Sequence, residues 1–216
     1  NADKDYDAFE NKLKNLLKSH KGTFAIALKN MNDGKSVLIN ENEVFHAAST
    51  MKNPVMIEFF KKINEGKISS DDSLLINNEF SSIVDGSKFE LSSFDDSDED
   101  IYENLGKYIS TDKLVYEMIT RSSNFGTNLL IDYLNAEDVN NTMKNIGAKN
   151  MKVLRGVGDL KAFDLGLSNT TTAADLLIIY EKLAMGEIVN NESSNKMIRI
   201  LKDQVYNDII PKYLPE

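Results

Sequence analysis

Two short segments gather side chains that can do chemistry. In His46-Ala47-Ala48-Ser49-Thr50-Met51-Lys52 a hydroxyl precedes an amine by three residues at the start of a helical pattern, so both lie on one face. Lys52 is followed at +4, +7 and +11 by Met56, Phe59 and Ile63, members of an apolar stripe. A lysine inside a buried stripe is rare unless paired. Burial disfavours its charged form and lowers its pKa, which lets the neutral amine take a proton from a nearby hydroxyl. Ser49, at the helix N-terminus, stands where free N–H groups and the dipole stabilise developing negative charge. An activated serine nucleophile follows from this geometry. A plainer account fits the same residues: Ser49 as a helix N-cap and Lys52 as a lysine reaching along the surface to solvent.

The second segment is Ser122-Ser123-Asn124, directly after the helical stripe of Leu114, Val115, Met118 and Ile119 and before a helix that starts near Thr127. Ser122 lies four residues after Met118 and so projects from the buried edge of that helix. A hydroxyl and an amide at such a junction can relay a proton and hold a substrate amide. Serine and asparagine are also the ordinary caps at helix junctions, and the two roles are compatible.

The elements that must position these residues are legible from periodicity. Phe9, Leu13, Leu16 and Leu17 mark a helix within 7–17, and the β-prone runs 23–28 and 36–39 flank Asn32-Asp33-Gly34, a hairpin turn. Met51 to Ile63 forms a strongly amphipathic helix stopped by Gly66. Residues 67–106 are polar, with short elements. A helix capped by Ser110 or Thr111 follows, then helical patterns at 129–134, at 139–146 (ended by Gly147), at 175–183 (ended by Gly186) and at 196–201. Residues 153–169, with Gly156, Gly158 and Gly166, lack periodicity and read as a long functional loop. A lone two-stranded hairpin is marginal and needs more strands or a covering helix.

Composition narrows the function classes. The net charge of −9 over 216 residues argues against nucleic-acid binding, which needs clustered lysine and arginine. The absence of cysteine excludes a disulfide scaffold, a thiolate nucleophile and cysteine-ligated zinc, and with two histidines a catalytic zinc site is not expected. Asp96, Asp98 and Asp100 imitate the start of an EF-hand, but Ile101 and Lys107 stand where glycine and glutamate belong, so this run reads as a solvated acidic patch. His46 lacks the Gly-x-Ser-x-Gly elbow of a Ser-His-Asp hydrolase and is expected to pack or hydrogen-bond at the helix entrance. Pro54 weakens the first turn after Ser49.

The pairing of STMK (Ser49 to Lys52) with ITRSSNFGTNLLIDYL (Ile119 to Leu134) resembles the class A β-lactamases within the penicillin-recognising serine hydrolases. RGVGD…GLSNTTTAADL (Arg155 to Leu176) and DQVYNDIIPKYLPE (Asp203 to Glu216) are similar to later parts of that family, in the same order. The resemblance implies an α+β fold in which a helical domain packs against an antiparallel sheet flanked by terminal helices. Residues 1–48 would form the N-terminal helix and hairpin, 49–190 the helical domain, and 191–216 a return segment. It implies Ser49 as acyl-accepting nucleophile and Lys52 as its proton acceptor, directly or through a water and a carboxylate. Ser122 would return a proton to the leaving β-lactam nitrogen, Asn124 would bind the substrate side-chain amide, and the Ser49 N–H would serve half an oxyanion hole. No metal or cofactor is implied.

The chain departs from the family pattern at named places. The middle of the Ser-Asp-Asn motif is Ser123. The loop glutamate that activates water for acyl-enzyme release is expected at Gly158, which carries no base; adjacent Asp159 either replaces it or is a solvated loop carboxylate. The family's Lys-Thr-Gly strand lies beyond the matching segment, so its strands are expected to be absent from this chain, cleaved or supplied by another copy. Asn1 opens the chain without an initiator methionine, as expected of a processed form. The expected activity is β-lactam opening through an acyl-serine, with a slowly deacylating penicillin-binding or peptidase-like protein, or a non-catalytic relative, as alternatives. The expected partners are a small β-lactam or peptidoglycan-like substrate, with no nucleic acid and no transmembrane segment. The family's targets imply export to the periplasm or cell surface.

Overall fold

A computed structural model describes residues 2–209 and 211–213. Helix α1 (Ala2–Lys18) leads into a hairpin of β1 (Ile26–Lys29) and β2 (Ser36–Ile39), then β3 (Phe45–His46), α2 (Lys52–Asn64) and β4 (Ser73–Leu75). Next come β5 (Phe80–Ser81), β6 (Lys88–Phe89), β7 (Tyr108–Ser110), α3 (Thr111–Thr120), α4 (Asn124–Leu134) and α5 (Ala136–Ile146). The short helix α6 (Leu160–Asp164), β8 (Thr170–Thr171), α7 (Ala173–Ala184) and α8 (Asn191–Lys202) follow. Among the described residues the strands pair in twos, all antiparallel: β1 with β2, β3 with β8, β4 with β7 and β5 with β6. The fold is α+β.

The hairpin closes through Gly34, whose φ of +73° suits glycine, and pairs Ile26 with Ile39 and Leu28 with Val37. Helices supply its cover: α1 packs on β2 and α7 on β1, where Lys29 and Glu181 form an ion pair. Alternation along β2 buries Val37 and Ile39 and leaves Leu38 outside. The apolar stripe of α1 is only partly covered, with Phe9 and Leu16 exposed.

The core is built on α2, which contacts α3, α4, α5 and α8. The expected amphipathic helix is here a central one. Every residue from Lys52 to Phe60 is buried, including Glu58, whose carboxylate takes the Thr142 hydroxyl and the Lys61 ammonium. Pro54 falls in its first turn, where a missing N–H costs little. The capping expectations at α3 hold: the Ser110 hydroxyl accepts the Lys113 N–H. Gly147 ends α5 in the left-handed conformation that a Cβ disfavours. Helix α8 packs on α7, α3 and α2, and the segment after it returns to the end of α3, where Val205 N–H meets the Thr120 carbonyl at 3.1 Å. Ile210 and the last three residues of the return segment lie outside the described residues.

Candidate active site

The pairing of β3 with β8 fixes the entrance to α2, reinforced by the Ala47 N–H on the Asn169 carbonyl at 2.8 Å. A single 3₁₀ turn, Ala48–Met51, then carries Ser49 into α2. Ala48 holds a left-handed backbone at φ +45°, and its N–H is taken by His46 Nδ1 at 3.0 Å, which gives His46 its place at the helix entrance. Such backbones cost roughly 1–3 kcal/mol and persist where the surroundings over-determine them. Ser49 is not the N-cap. Met51 occupies that position without any side-chain cap, so the exposed Ser49 hydroxyl is free to meet Ser122 Oγ at 2.9 Å.

Lys52 does not reach to solvent; it is 2% exposed. Its ammonium donates to the Ser122 carbonyl at 2.7 Å, to Ser122 Oγ at 2.8 Å and to Asn124 Oδ1 at 3.0 Å. Burial lowers its pKa from 10.5 to about 8, against the Asp96 carboxylate, which raises it. The hydrogen-bonded route between Ser49 and Lys52 therefore runs through Ser122, not directly along one helix face.

Ser122 owes this position to its backbone, not to the edge of α3. The helix ends at Thr120, and Ser122 turns left-handed at φ +61°. Capping falls to Ser123, fully buried, whose hydroxyl accepts the Gly126 N–H at 3.1 Å. That leaves Ser122 to Ser49 and Lys52, and Asn124 to the cleft. The Asn124 amide is oriented at both ends, accepting from Lys52 and donating to the Asp95 carbonyl at 3.3 Å.

The acidic run is not a solvated patch. Asp96 and Asp98 are buried, while Asp100 stays outside and pairs with Arg121. Asp96 Oδ1 accepts the Asp98 N–H at 3.2 Å and the Asn124 N–H at 3.0 Å; Oδ2 accepts the Phe125 N–H at 2.8 Å and the Tyr102 hydroxyl at 3.1 Å. Burial pushes the Asp98 carboxyl up, against a hydrogen bond from Ser123.

Loop 153–169 forms the opposite wall. Asn169 stitches its ends, accepting the Leu154 and Arg155 N–H groups and donating to the Arg155 carbonyl. Asn128 of α4 clamps its middle, accepting the Val157 N–H at 2.6 Å and donating to the Val157 carbonyl at 2.8 Å. Gly156 is required beneath that clamp, because a Cβ there would lie 2.4 Å from Asn128 Oδ1. Gly158 has φ +83° and Leu91 Cδ2 2.4 Å from where its Cβ would stand, so a side chain at the expected glutamate position would be strained and would displace Leu91. The Asp159 carboxylate is engaged: it caps α6 through the Ala162 N–H at 3.1 Å and accepts the Ser82 hydroxyl and Ile83 N–H, each at 2.9 Å. Burial works to raise its pKa, but these bonds and the Arg155 charge outweigh it and hold it below the usual value.

Together these segments enclose a cleft of about 320 Å³, lined by Ser49, Lys52, Asn124, Val157, Asp159 and Phe163 among others. Another hollow, of about 300 Å³ beside Ile101 and Tyr108, contains none of Ser49, Lys52 or Ser122. Among the described residues no cluster of His, Asp and Glu is arranged to hold a metal ion. No described helix is long and apolar enough to cross a membrane.

The model of the beta-lactamase enzyme family matches residues 8–216. The chain belongs to the beta-lactamase enzyme family. Its fold is shared by PBP-A, at 25% identity and TM-score 0.79, over 96% of this chain and 72% of that one. TLA-3 extended-spectrum beta-lactamase gives 20% identity and TM-score 0.81, over 98% and 74%. A beta-lactamase from Sphaerobacter thermophilus gives 22% identity and TM-score 0.73, over 89% and 68%. No curated protein sequence matches significantly. In this member of the beta-lactamase family, sequence reasoning missed Asp96 and Asn128. Asn128 left a signal, standing one helical turn after Asn124 on the same face. Asp96 left none, because nothing in an acidic run tells which carboxylate is folded inward.

Proposed function

We propose that the chain opens a β-lactam amide by forming an acyl-serine on Ser49. The observation that carries this reading is the hydrogen-bonded chain Ser49 Oγ–Ser122 Oγ–Lys52 Nζ, with steps of 2.9 and 2.8 Å. Lys52 accepts only when neutral, which a pKa of about 8 makes accessible at physiological pH. As Ser49 Oγ bonds to the carbonyl carbon, its proton passes to Ser122 Oγ while the Ser122 proton passes to Lys52. When the carbon–nitrogen bond breaks, the same proton returns through Ser122 to the leaving nitrogen. Asn124, held at both ends, binds the amide of the substrate side chain. No metal or cofactor enters.

The fate of the acyl-enzyme follows from the loop. Gly156, Val157 and Gly158 bring no carboxylate to the cleft, and that of Asp159 is occupied by three donors. This favours slow deacylation, the behaviour of a penicillin-binding or peptidase-like protein, over rapid hydrolysis. The site of action we assign is outside the cytoplasm, where peptidoglycan-like substrates are found.

Nitrocefin and a fluorescent penicillin test both steps. A stoichiometric burst with slow turnover, and labelling lost in Ser49→Ala, are expected. Steady fast hydrolysis would refute the slow-release reading. Labelling that survives Ser49→Ala, or no labelling of the folded protein, would overturn the acyl-serine and leave a binding relative.

A further inference from the structure

We infer that Asp96 is a positioning residue of this site: its buried carboxylate fixes the N-terminus of α4, and with it Asn124 and the Ser122 turn, the groups that hold the Lys52 amine. The inference rests on the acyl-serine reading for its consequence in rate, but not for its geometry.

Asp96 comes from a different stretch of chain, and its two oxygens gather donors from the residues just after it and from α4. One is shared by the Asp98 and Asn124 N–H groups, the other by the Phe125 N–H and the Tyr102 hydroxyl. The first-turn N–H groups of a helix have no partners within it, so a carboxylate spanning two of them fixes that end in position and orientation. The fixed residues are those that touch Lys52: Asn124 through its side chain, and Ser122 two positions earlier through its carbonyl and hydroxyl. Ser123, between them, is already committed to the Gly126 N–H. The left-handed Ser122 thus has the end of α3 on one side and the Asp96-bound start of α4 on the other.

Other charged groups come from the elements around the amine. His46 comes from β3, Arg155 and Asp159 from the loop, and Arg121 from the end of α3, paired with Asp100 and Glu117. Asp159 is turned to Ser82 and Ala162, and the Arg155 guanidinium to the Leu167 and Gly156 carbonyls. Asp96 is the carboxylate whose charge acts on Lys52, opposing the effect of burial.

Geometry and charge can be separated by substitution. Asp96→Asn keeps an acceptor for the Asn124 N–H but turns an N–H₂ toward the Phe125 N–H, losing that bond and the charge. Asp96→Glu keeps the charge and displaces the carboxylate. The readouts are the Lys52 titration, by ¹³Cε NMR with the signal assigned by its loss in Lys52→Met, and the limiting rate of fluorescent-penicillin labelling. In Asp96→Asn the Lys52 midpoint moves to lower pH, and the limiting rate falls about tenfold, the effect of one charged hydrogen bond. In Asp96→Glu the rate falls while the midpoint stays near that of the wild type. Asp98→Asn, which removes an equally buried neighbouring charge, leaves the midpoint in place. A folded Asp96→Asn with an unmoved midpoint overturns the inference, as does an Asp96→Glu that labels at the full rate. Should Asp96→Asn not fold, Asp96→Glu still decides. Wild-type protein that takes no label refutes the acyl-serine reading alone; the NMR titration then judges Asp96.

Discussion

On the proposed acyl-serine route, the pKa of Lys52 makes both labelling and stability respond to pH in a calculable way. With a value of about 8, about one lysine in eleven is neutral at pH 7 and about ten in eleven at pH 9, so the labelling rate rises about tenfold and then levels. A lysine at the ordinary 10.5 would give about a hundredfold rise over the same interval, with no plateau. The stability sign is opposite to that of a salt-bridged lysine. The folded pKa lies below the unfolded one, so between about 8 and 10.5 the unfolded chain binds more protons and folding is favoured as pH rises. The shift corresponds to roughly 3 kcal/mol of burial penalty that is present below pH 8 and relieved above it. Other lysines and tyrosines titrate in this range, so the clean quantity is the difference between wild type and Lys52→Met in chemical denaturation at each pH. That difference shifts in favour of the wild type by about 3 kcal/mol from pH 7.5 to 10.5. A labelling rate that climbs unbroken to pH 10, or a difference flat with pH, refutes the buried-amine argument.

Other perturbations follow from the same geometry. Val157 lines the cleft without a left-handed backbone, whereas Gly158 has one, so Val157→Glu introduces a carboxylate with less strain; Val157→Glu is expected to speed deacylation in a nitrocefin assay, and Gly158→Glu to lower the thermal midpoint instead. Asp159→Asn weakens the cap of α6 and its bonds to Ser82 and Ile83, costing about 1–2 kcal/mol at neutral pH. Because the folded pKa of Asp159 lies below its ordinary 3.8, that contribution is present above this value and lost as pH falls. A folded Asp159→Asn that acylates but no longer turns over at all would restore Asp159 as the base. At Ser122, where φ is +61°, glycine relieves strain that alanine keeps, so Ser122→Gly is expected to be more stable than Ser122→Ala by roughly 0.5–1 kcal/mol, the reverse of the usual loop preference. Both variants should lose labelling at Ser49.

Much of this architecture was legible in the sequence because helices announce themselves by apolar spacing and caps. The stripe of Leu114, Val115, Met118 and Ile119 is buried as expected, and the Asn32-Asp33-Gly34 turn does close a hairpin. Ser49 and Lys52 were nominated by type and spacing and the roles of Ser122 and Asn124 by the resemblance, and the fold joins the four in one hydrogen-bonded group. What the sequence hid depends on tertiary neighbours. Glu58 looks like the polar side of an amphipathic helix until α5 brings Thr142 against it. Asp96 and Asp98 are indistinguishable by composition from Asp100. The Ser49–Ser122–Lys52 order could not be read from a helical wheel, because it depends on a left-handed residue after α3 had ended.

The burial of α2 on every side explains why Lys52 stays in an environment that lowers its pKa. A buried ammonium ordinarily escapes by rotating its helix or by swinging to solvent. Here Val55, Met56, Ile57 and Phe59 are fully buried in the next two turns, so any rotation that freed Lys52 would pull apolar side chains from the core at about 1.5–3 kcal/mol each. Swinging outward would forfeit its bonds to Ser122 and Asn124. The alternative that remains to the amine is to give up its proton more readily. In this fold the core helix and the buried lysine are one element, and the packing that stabilises the helix is what keeps the amine hydrogen-bonded to Ser122, which in turn meets Ser49.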